Sequence, residues 1–247
     1  MNSTATFRFH GNLVTLLSRD RRGAAFAYTC ARAASLKNAI ETLGVPHTEV
    51  GRLLVNGAPA TLARTVRDGD AIEIFPWSRD MGPLPDGELS FLADAHLGGL
   101  ARFLRMLGVD TAHENALSDA EIRRLAHDER RVVLTRDREL LKCREILFGC
   151  LVRALRPEDQ LREVAARYGL AAAARPFTRC LHCNLPLEPV DKASIADRLP
   201  EQVRARQERF MQCHGCDRIY WPGSHYERMQ AVLRALLPDD PASIRPG

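Results

Sequence analysis

Four cysteines stand in two pairs, Cys180-Leu181-His182-Cys183 and Cys213-His214-Gly215-Cys216. Each Cys-x-x-Cys turn aims two sulfurs at one point. Two such knuckles complete a tetrahedral set with no open position, which marks a structural zinc. Gly215 lets the second turn adopt positive φ. Two pairs in one short segment fit a ribbon better than a redox dithiol. His182 and His214 lie inside the knuckles and read as bystanders. Cys30, Cys143 and Cys150 are scattered and read as small buried apolar residues.

A second chemistry is written in carboxylates. Asp94 ends the apolar run Phe91-Leu92-Ala93, and Asp137 follows the β-branched run Arg131–Thr135 by two residues. Asp119 lies in the first turn of a helix opening at Ser118. Sites in open α/β sheets form beyond the carboxyl ends of the strands, so these three side chains are expected to converge. Clustered carboxylates repel, and a shared divalent cation, magnesium or manganese, would neutralise them and activate water against a phosphodiester. The plainer alternative makes Asp94 and Asp137 helix caps and Asp119 a partner of a helix dipole. Arg102 and Arg105 are three apart on one predicted helix, and Arg136 and Arg138 bracket Asp137; they are candidates to hold phosphates, or a solvated face. His96, two residues after Asp94, is either a general acid or an exposed histidine.

Three segments must position these groups. In residues 5–76, Thr6–His10 alternates as a strand and Ala25–Thr29 is a candidate partner. Ser35 caps a helix through Leu36, Ile40 and Leu43 to Gly44. Arg52–Val55, the Asn56-Gly57 turn, the Asp68-Gly69-Asp70 turn and the strand Ala71–Phe75 complete an α+β unit. Residues 77–89, with two prolines and two glycines, read as a linker. Residues 90–175 alternate strand and helix and predict a parallel α/β sheet. Its helices are one carrying Leu97, Leu100, Leu104 and Leu107 and stopped by Gly108, one with the Ser118/Glu121 capping box, a short one at Leu140-Leu141, and one from Pro157 to Tyr168 before Gly169. Val109–Ala112 and part of Leu147–Leu155 read as further strands. Residues 176–235 form the zinc ribbon, with a helical insertion over Asp197–Phe210. A last helix is expected from a Ser224/Glu227 capping box, and residues 236–247 as a frayed tail. Tyr220, Trp221 and Tyr226 either stack on unpaired bases or pack the ribbon, packing being the simpler reading.

Composition narrows the field. The chain has 247 residues, 45% hydrophobic and 27% charged, with a net charge of +4, so overall charge argues for no polyanion and any nucleic-acid contact must be local. No long apolar run and no secretory pattern is visible, which predicts a soluble, cytoplasmic protein with reduced thiols and no membrane contact.

The stretches SLKNAIETLGVP, LLVNGAPA and VRDGDAIEIFP resemble the β-grasp, ubiquitin-like fold of small sulfur carriers. Such carriers act through a free C-terminal Gly-Gly. Here the last strand runs on into Pro76-Trp77-Ser78, so the resemblance implies docking of a protein partner rather than sulfur transfer. The stretches FLADAHLGGLARFLRMLGVDTA and SDAEIRRLAHDERRVVLTRDREL, with CHGCDRIYWPGSHYERM, resemble the PIN-like RNase domain first described at the C-terminus of the Mut-seven exonuclease. The resemblance covers about residues 90–230. It implies a metal-dependent ribonuclease with RNA as substrate, in which Asp94 matches the aspartate after the first strand, Asp119 the aspartate opening the later helix, and Asp137 the aspartate of Thr135-Arg136-Asp137. A further acidic residue found in many PIN domains has no obvious counterpart beyond Glu121. A non-catalytic RNA- or ribosome-binding adaptor therefore stays open as the alternative.

Overall fold

The computed structural model describes residues 2–82, 84–172 and 174–236. The expected tail lies outside these, apart from Leu236. In chain order the elements are β1 (Ser3–Phe9), β2 (Phe26–Cys30), α1 (Leu36–Thr42), β3 (Val50–Val55), β4 (Ala58–Ala60), β5 (Ala71–Pro76), β6 (Phe91–Ala93), α2 (Gly98–Met106), β7 (Thr111–Ala112) and α3 (Asp119–Asp128). There follow β8 (Val132–Thr135), β9 (Gly149–Leu151), α4 (Pro157–Tyr168), β10 (Glu188–Pro189), α5 (Lys192–Ile195), α6 (Glu201–Arg206), β11 (Met211–Gln212), β12 (Ile219–Tyr220) and α7 (Ser224–Leu236). Among the described residues no helix is long and apolar enough to cross a membrane. The chain divides into two compact units, each made of two stretches. The first is Met1–Glu88 with Leu117–Val152, and the second is Leu89–Ala116 with the chain from Arg153 onward.

The first unit opens with a five-stranded sheet ordered β2-β1-β5-β3-β4, in which β1 and β5 run parallel and the other pairs antiparallel. Alternation sets its inner face: Ala5, Phe7 and Phe9 of β1 and Ile72 and Ile74 of β5 are buried, while their neighbours in β1 are exposed. Helix α1 covers that face with Leu36, Ala39 and Ile40, and Ser35 caps it by accepting the Asn38 N–H at 3.2 Å. Asn56 (φ 52°) and Gly57 (φ 78°) make the two-residue hairpin turn joining β3 to β4, the left-handed geometry that Asn-Gly favours.

Asp70 fastens the strand ends. Its carboxylate accepts from the Arg64 guanidinium at 2.7 and 3.1 Å, the Arg67 N–H at 2.8 Å and the Asn56 side-chain amide at 3.0 Å.

The second stretch of the first unit contains the capping box read from sequence: the Ser118 N–H and hydroxyl both donate to Glu121, while Ser118 Oγ accepts the Glu121 N–H. Strand β8 is buried throughout and pairs parallel with β9 from Val133↔Gly149 to Thr135↔Leu151. The two stretches of this unit are joined by polar bonds. The buried Glu49 carboxylate accepts the Leu151 N–H at 2.9 Å, and His47 sits 2.9 Å from the Ile146 carbonyl and 2.7 Å from Glu41. Gly149 keeps this approach close, since a Cβ would lie 2.6 Å from Leu141 Cδ2 and 3.2 Å from Thr48 Cγ2 and would make those side chains shift.

In the second unit β6 and β7 pair parallel at Phe91↔Thr111 and Leu92↔Ala112. Helix α4 starts with Pro157 at its first position and ends at Gly169 in the left-handed conformation, as its sequence predicts. Helices α2 and α4 pack together, and Gly99 makes room, because a Cβ there would come within 2.7 Å of Pro157 Cγ. The ribbon sheet is ordered β10-β11-β12 with antiparallel pairs. The stretch between the knuckles forms α5, a 3-10 turn and α6, with Ile195, Leu199 and Phe210 as its own apolar cluster. Helix α7 begins at Ser224 itself, its Glu227 N–H bonding to the Gly223 carbonyl at 3.0 Å, so Gly223 rather than Ser224 holds the cap position.

Asp70 generates a pH prediction. The Arg64 hydrogen bonds, outweighing its burial and helped by the Arg67 N–H and Asn56, hold its carboxyl down at about 2. A folded value below the ordinary carboxylate range contributes stability above about pH 5 that is lost as pH falls toward 2. Asp70→Asn is expected to cost about 1.5–3 kcal/mol at pH 7. Urea midpoints for the two proteins should converge below pH 3.

Candidate metal centre and acidic positions

The four predicted cysteines come together, although the positive φ expected of Gly215 falls instead at Asp217 (φ 58°). Their sulfurs all lie within 4.8 Å of one another, with Cys180–Cys216 at 3.5 Å and Cys183–Cys213 at 3.3 Å. A zinc at about 2.3 Å from each sulfur sets tetrahedral edges of about 3.8 Å, so the donor set fits by size and by chemistry. Cys180 and Cys213 are buried, and Cys183 and Cys216 are half-buried, which closes the site. Among the described residues this is the one group of three or more potential ligands drawn so close.

Local backbone geometry explains why the first knuckle favours a thiolate. Burial pushes the Cys180 thiol up, but the Cys183 N–H, the Tyr220 hydroxyl and the His182 N–H outweigh it and pull it below the ordinary thiol range. Tyr220 Oη lies 3.1 Å from Cys180 Sγ, and with a thiolate as acceptor the phenol donates. Burial, followed by that bond to Cys180, raises the Tyr220 pKa, so it remains a donor. Burial and the neighbouring thiols push Cys183 and Cys216 up. A divalent cation removes that opposition by stabilising every thiolate at once.

Arg105 anchors the first knuckle. It is buried, and its Nε donates to the Thr111 carbonyl at 2.9 Å while Nη1 donates to the carbonyls of His182 at 2.8 Å and Leu181 at 3.3 Å. The expectation that Arg105 shares an open phosphate-holding face with Arg102 is therefore corrected: its fork is spent on carbonyls, whereas Arg102 is exposed. A helical wheel carries the missed signal, because Arg105 follows Ala101 by four residues and Leu104 by one, on the buried stripe. Asn184 reinforces the join. Its Oδ1 accepts the Thr111 N–H of strand β7 at 3.0 Å and its Nδ2 donates to Asp110 at 2.8 Å, from a left-handed backbone at φ 68°. Gly108 (φ 81°) lets α2 end against the incoming chain, since a Cβ would sit 2.1 Å from the Arg175 carbonyl oxygen.

The aspartates occupy the expected positions in the chain's elements. Asp94 directly follows β6, is buried, and caps the next turn by accepting the His96 N–H at 2.7 Å. Asp119 is the first residue of α3, and Asp137 follows β8 by two residues; both are exposed and form no ion pair among the described residues. The Asp137 carboxylate accepts the Glu139 N–H at 2.7 Å, and its own N–H donates to Thr135 Oγ1 at 3.0 Å. Asp94 belongs to the second unit, and Asp119 and Asp137 to the first. Arg136 and Arg138 are exposed, and Arg138 Nη1 donates to the Leu16 carbonyl at 3.2 Å. Glu121 is committed to its capping box, and that bonding with Ser118 lowers its pKa. His96, His182 and His214 are exposed, the last 3.1 Å from Glu188. Two further groups had no signal in the sequence. His113 Nδ1 lies 3.2 Å from the Ala93 carbonyl beside Asp94, in space left by Gly98, and Glu163 accepts the N–H groups of Arg153 and Ala154.

Residues 89–233 match the family model for the Mut7-C RNAse domain. The chain belongs to the Mut7-C RNAse family. Residues 2–82 match a second model, the Mut7-C ubiquitin domain, so the five-stranded sheet and α1 are the ubiquitin-like domain that accompanies it. The search of the curated proteins finds no match. The Mut7-C RNAse and ubiquitin-like assignments read from the sequence thus stand, and the four-cysteine cluster fits a zinc site.

The purified chain is expected to carry about one zinc, measured by metal analysis, and Cys213→Ser to lose it. Tyr220→Phe should keep the metal but yield it to a chelator at about 10–100-fold lower competing concentration.

Proposed function

We propose that this Mut7-C protein is a divalent-metal-dependent ribonuclease with a PIN-like fold, and that Asp94, Asp119 and Asp137 form its active site. The observation that carries the reading is positional. Within a stretch matching an RNAse family, Asp94 and Asp137 each follow the carboxyl end of a strand in a parallel pair, where α/β proteins build their sites. Asp119, at the start of α3, adds a third oxygen donor. An all-carboxylate set is what magnesium or manganese selects, and such an ion, when bound, supplies Lewis-acid stabilisation of the phosphate and an acidified water. The three carboxylates would hold the ion and orient the attacking water, while Arg102, Arg136 and Arg138 offer guanidinium groups to RNA phosphates. The zinc ribbon steadies α2, which follows Asp94. The ubiquitin-like domain serves docking of a protein partner, since β5 ends at Pro76 and the chain continues. Reduced thiols and zinc fit a cytoplasmic setting.

One observation favours the alternative of a non-catalytic RNA- or ribosome-binding adaptor. Glu121, the further carboxylate the sequence offers, is occupied by Ser118 in its capping box. Cleavage separates the two. With labelled structured RNA and manganese, the wild-type chain is expected to cut, and Asp94→Asn or Asp137→Asn to cut at least about 100-fold more slowly with zinc content unchanged. Equal cleavage by the variants, or none by any protein, removes the nuclease assignment and leaves the adaptor.

A further inference from the structure

The second unit contains a cavity of about 730 Å³, bordered by α2, the ribbon and α7, within the range of small-molecule sites. Its walls set aromatic rings and guanidinium groups on an aliphatic floor that includes Met106, Leu187 and Leu233. Phe177, Tyr220, Trp221 and Tyr226 supply aromatic rings, each half-buried. Arg102 and Arg218 supply exposed guanidinium groups that form no ion pair among the described residues. The other two arginines of the wall are already matched: Arg179 lies 3.4 Å from Asp110 and Arg198 lies 3.0 Å from Asp217.

Backbone strain points to the same place. Phe177 has φ 70°, a left-handed conformation that a bulky residue adopts only when its surroundings impose it, and such outliers gather at ligand sites. The strained residue presents its ring edge-to-face to Tyr226, with centroids 5.0 Å apart. Trp221 is held from behind by Phe210, at 6.5 Å, and Tyr220 by its bond to Cys180. Tyr220 is therefore held by the cysteine cluster, Trp221 by the insertion, and Phe177 and Tyr226 by each other.

We propose that this cleft seats unpaired nucleotides of single-stranded RNA, with a base against the Phe177–Tyr226 and Trp221 rings and the flanking phosphates on Arg102 and Arg218. Flat aromatic walls with guanidinium groups at the rim complement a base joined to phosphates. This rests on the ribonuclease reading for the identity of the polymer, but it concerns binding, and it can fail separately.

The test uses the full-length, zinc-loaded chain carrying Asp137→Asn, without added magnesium or manganese, and a fluorescein-labelled oligouridine followed by anisotropy. Arg102→Gln and Arg218→Gln, both at exposed positions, are each expected to weaken binding about 5–10-fold and to lower the slope of log K against log salt by about 0.7. Tyr226→Leu should weaken it about 10-fold with little change in that slope. Because Tyr226 also packs, an oligomer containing 4-thiouridine is crosslinked to the chain with its natural rings, and the adduct is expected in the peptides carrying Phe177, Trp221 or Tyr226. Absence of RNA binding, binding unchanged within about twofold by both arginine variants, or crosslinks only outside the cleft overturns the proposal. Manganese-dependent cleavage by wild-type protein together with any of those results leaves the ribonuclease reading standing. RNA held in the cleft while the wild-type chain with manganese does not cut supports the cleft and defeats the nuclease.

Discussion

The buried guanidinium of Arg105 is the constraint on which the second unit depends. A charge withdrawn from water is costly unless hydrogen bonds and opposite charge replace its hydration. Three carbonyls, from Thr111, Leu181 and His182, provide the first. Burial lowers the Arg105 pKa, and the second, from Cys180, Cys183 and the Asp110 carboxylate, opposes that shift without reversing it. A zinc ion held by four thiolates would keep a residual negative charge and so would favour the buried arginine. The helix α2, the edge strand β7 and the first knuckle are consequently one polar assembly, and a lysine in place of Arg105 would lack the planar fork that reaches all three.

The polar ties around the knuckle also explain how a ribbon of two-residue strands holds its shape. The four sulfurs, Leu187 and Tyr220 make up most of a very small core. Such a module has little apolar area to offset chain entropy, and metal ligation supplies what packing cannot. Asn184 then uses its side chain to cover the open N–H of β7, which would otherwise be an unpaired sheet edge.

What was legible in the sequence was local. The Cys-x-x-Cys knuckles, the Ser118/Glu121 box, the Asn56-Gly57 turn and the Pro157-to-Gly169 helix are each set by residues a few positions apart, and each stands where the sequence puts it. What was not legible was long-range. Arg105 looked like half of a charged pair because spacing alone does not reveal which neighbours a helix meets; the carbonyls it serves lie up to 77 positions away. Glu49 bonding to Leu151 and Asn184 bonding to Thr111 had no signature for the same reason. The candidate acidic site was legible as three positions at element ends, while the carboxylates' local duties as caps and turn acceptors emerged only from the hydrogen bonds.

The interleaving of the two units has a consequence for how the chain is made. The ubiquitin-like sheet is complete once Pro76 has been synthesised, but the unit to which it belongs still awaits Leu117–Val152. Until that stretch emerges from the ribosome, the Glu49 carboxylate has no Leu151 N–H to accept. The second unit waits longer still, because β6 and α2 are made early while the knuckles that accept Arg105 come last. Such distant pairings raise contact order and slow folding. The charge on the early-made α2 therefore finds its carbonyl partners only after the first knuckle has been synthesised.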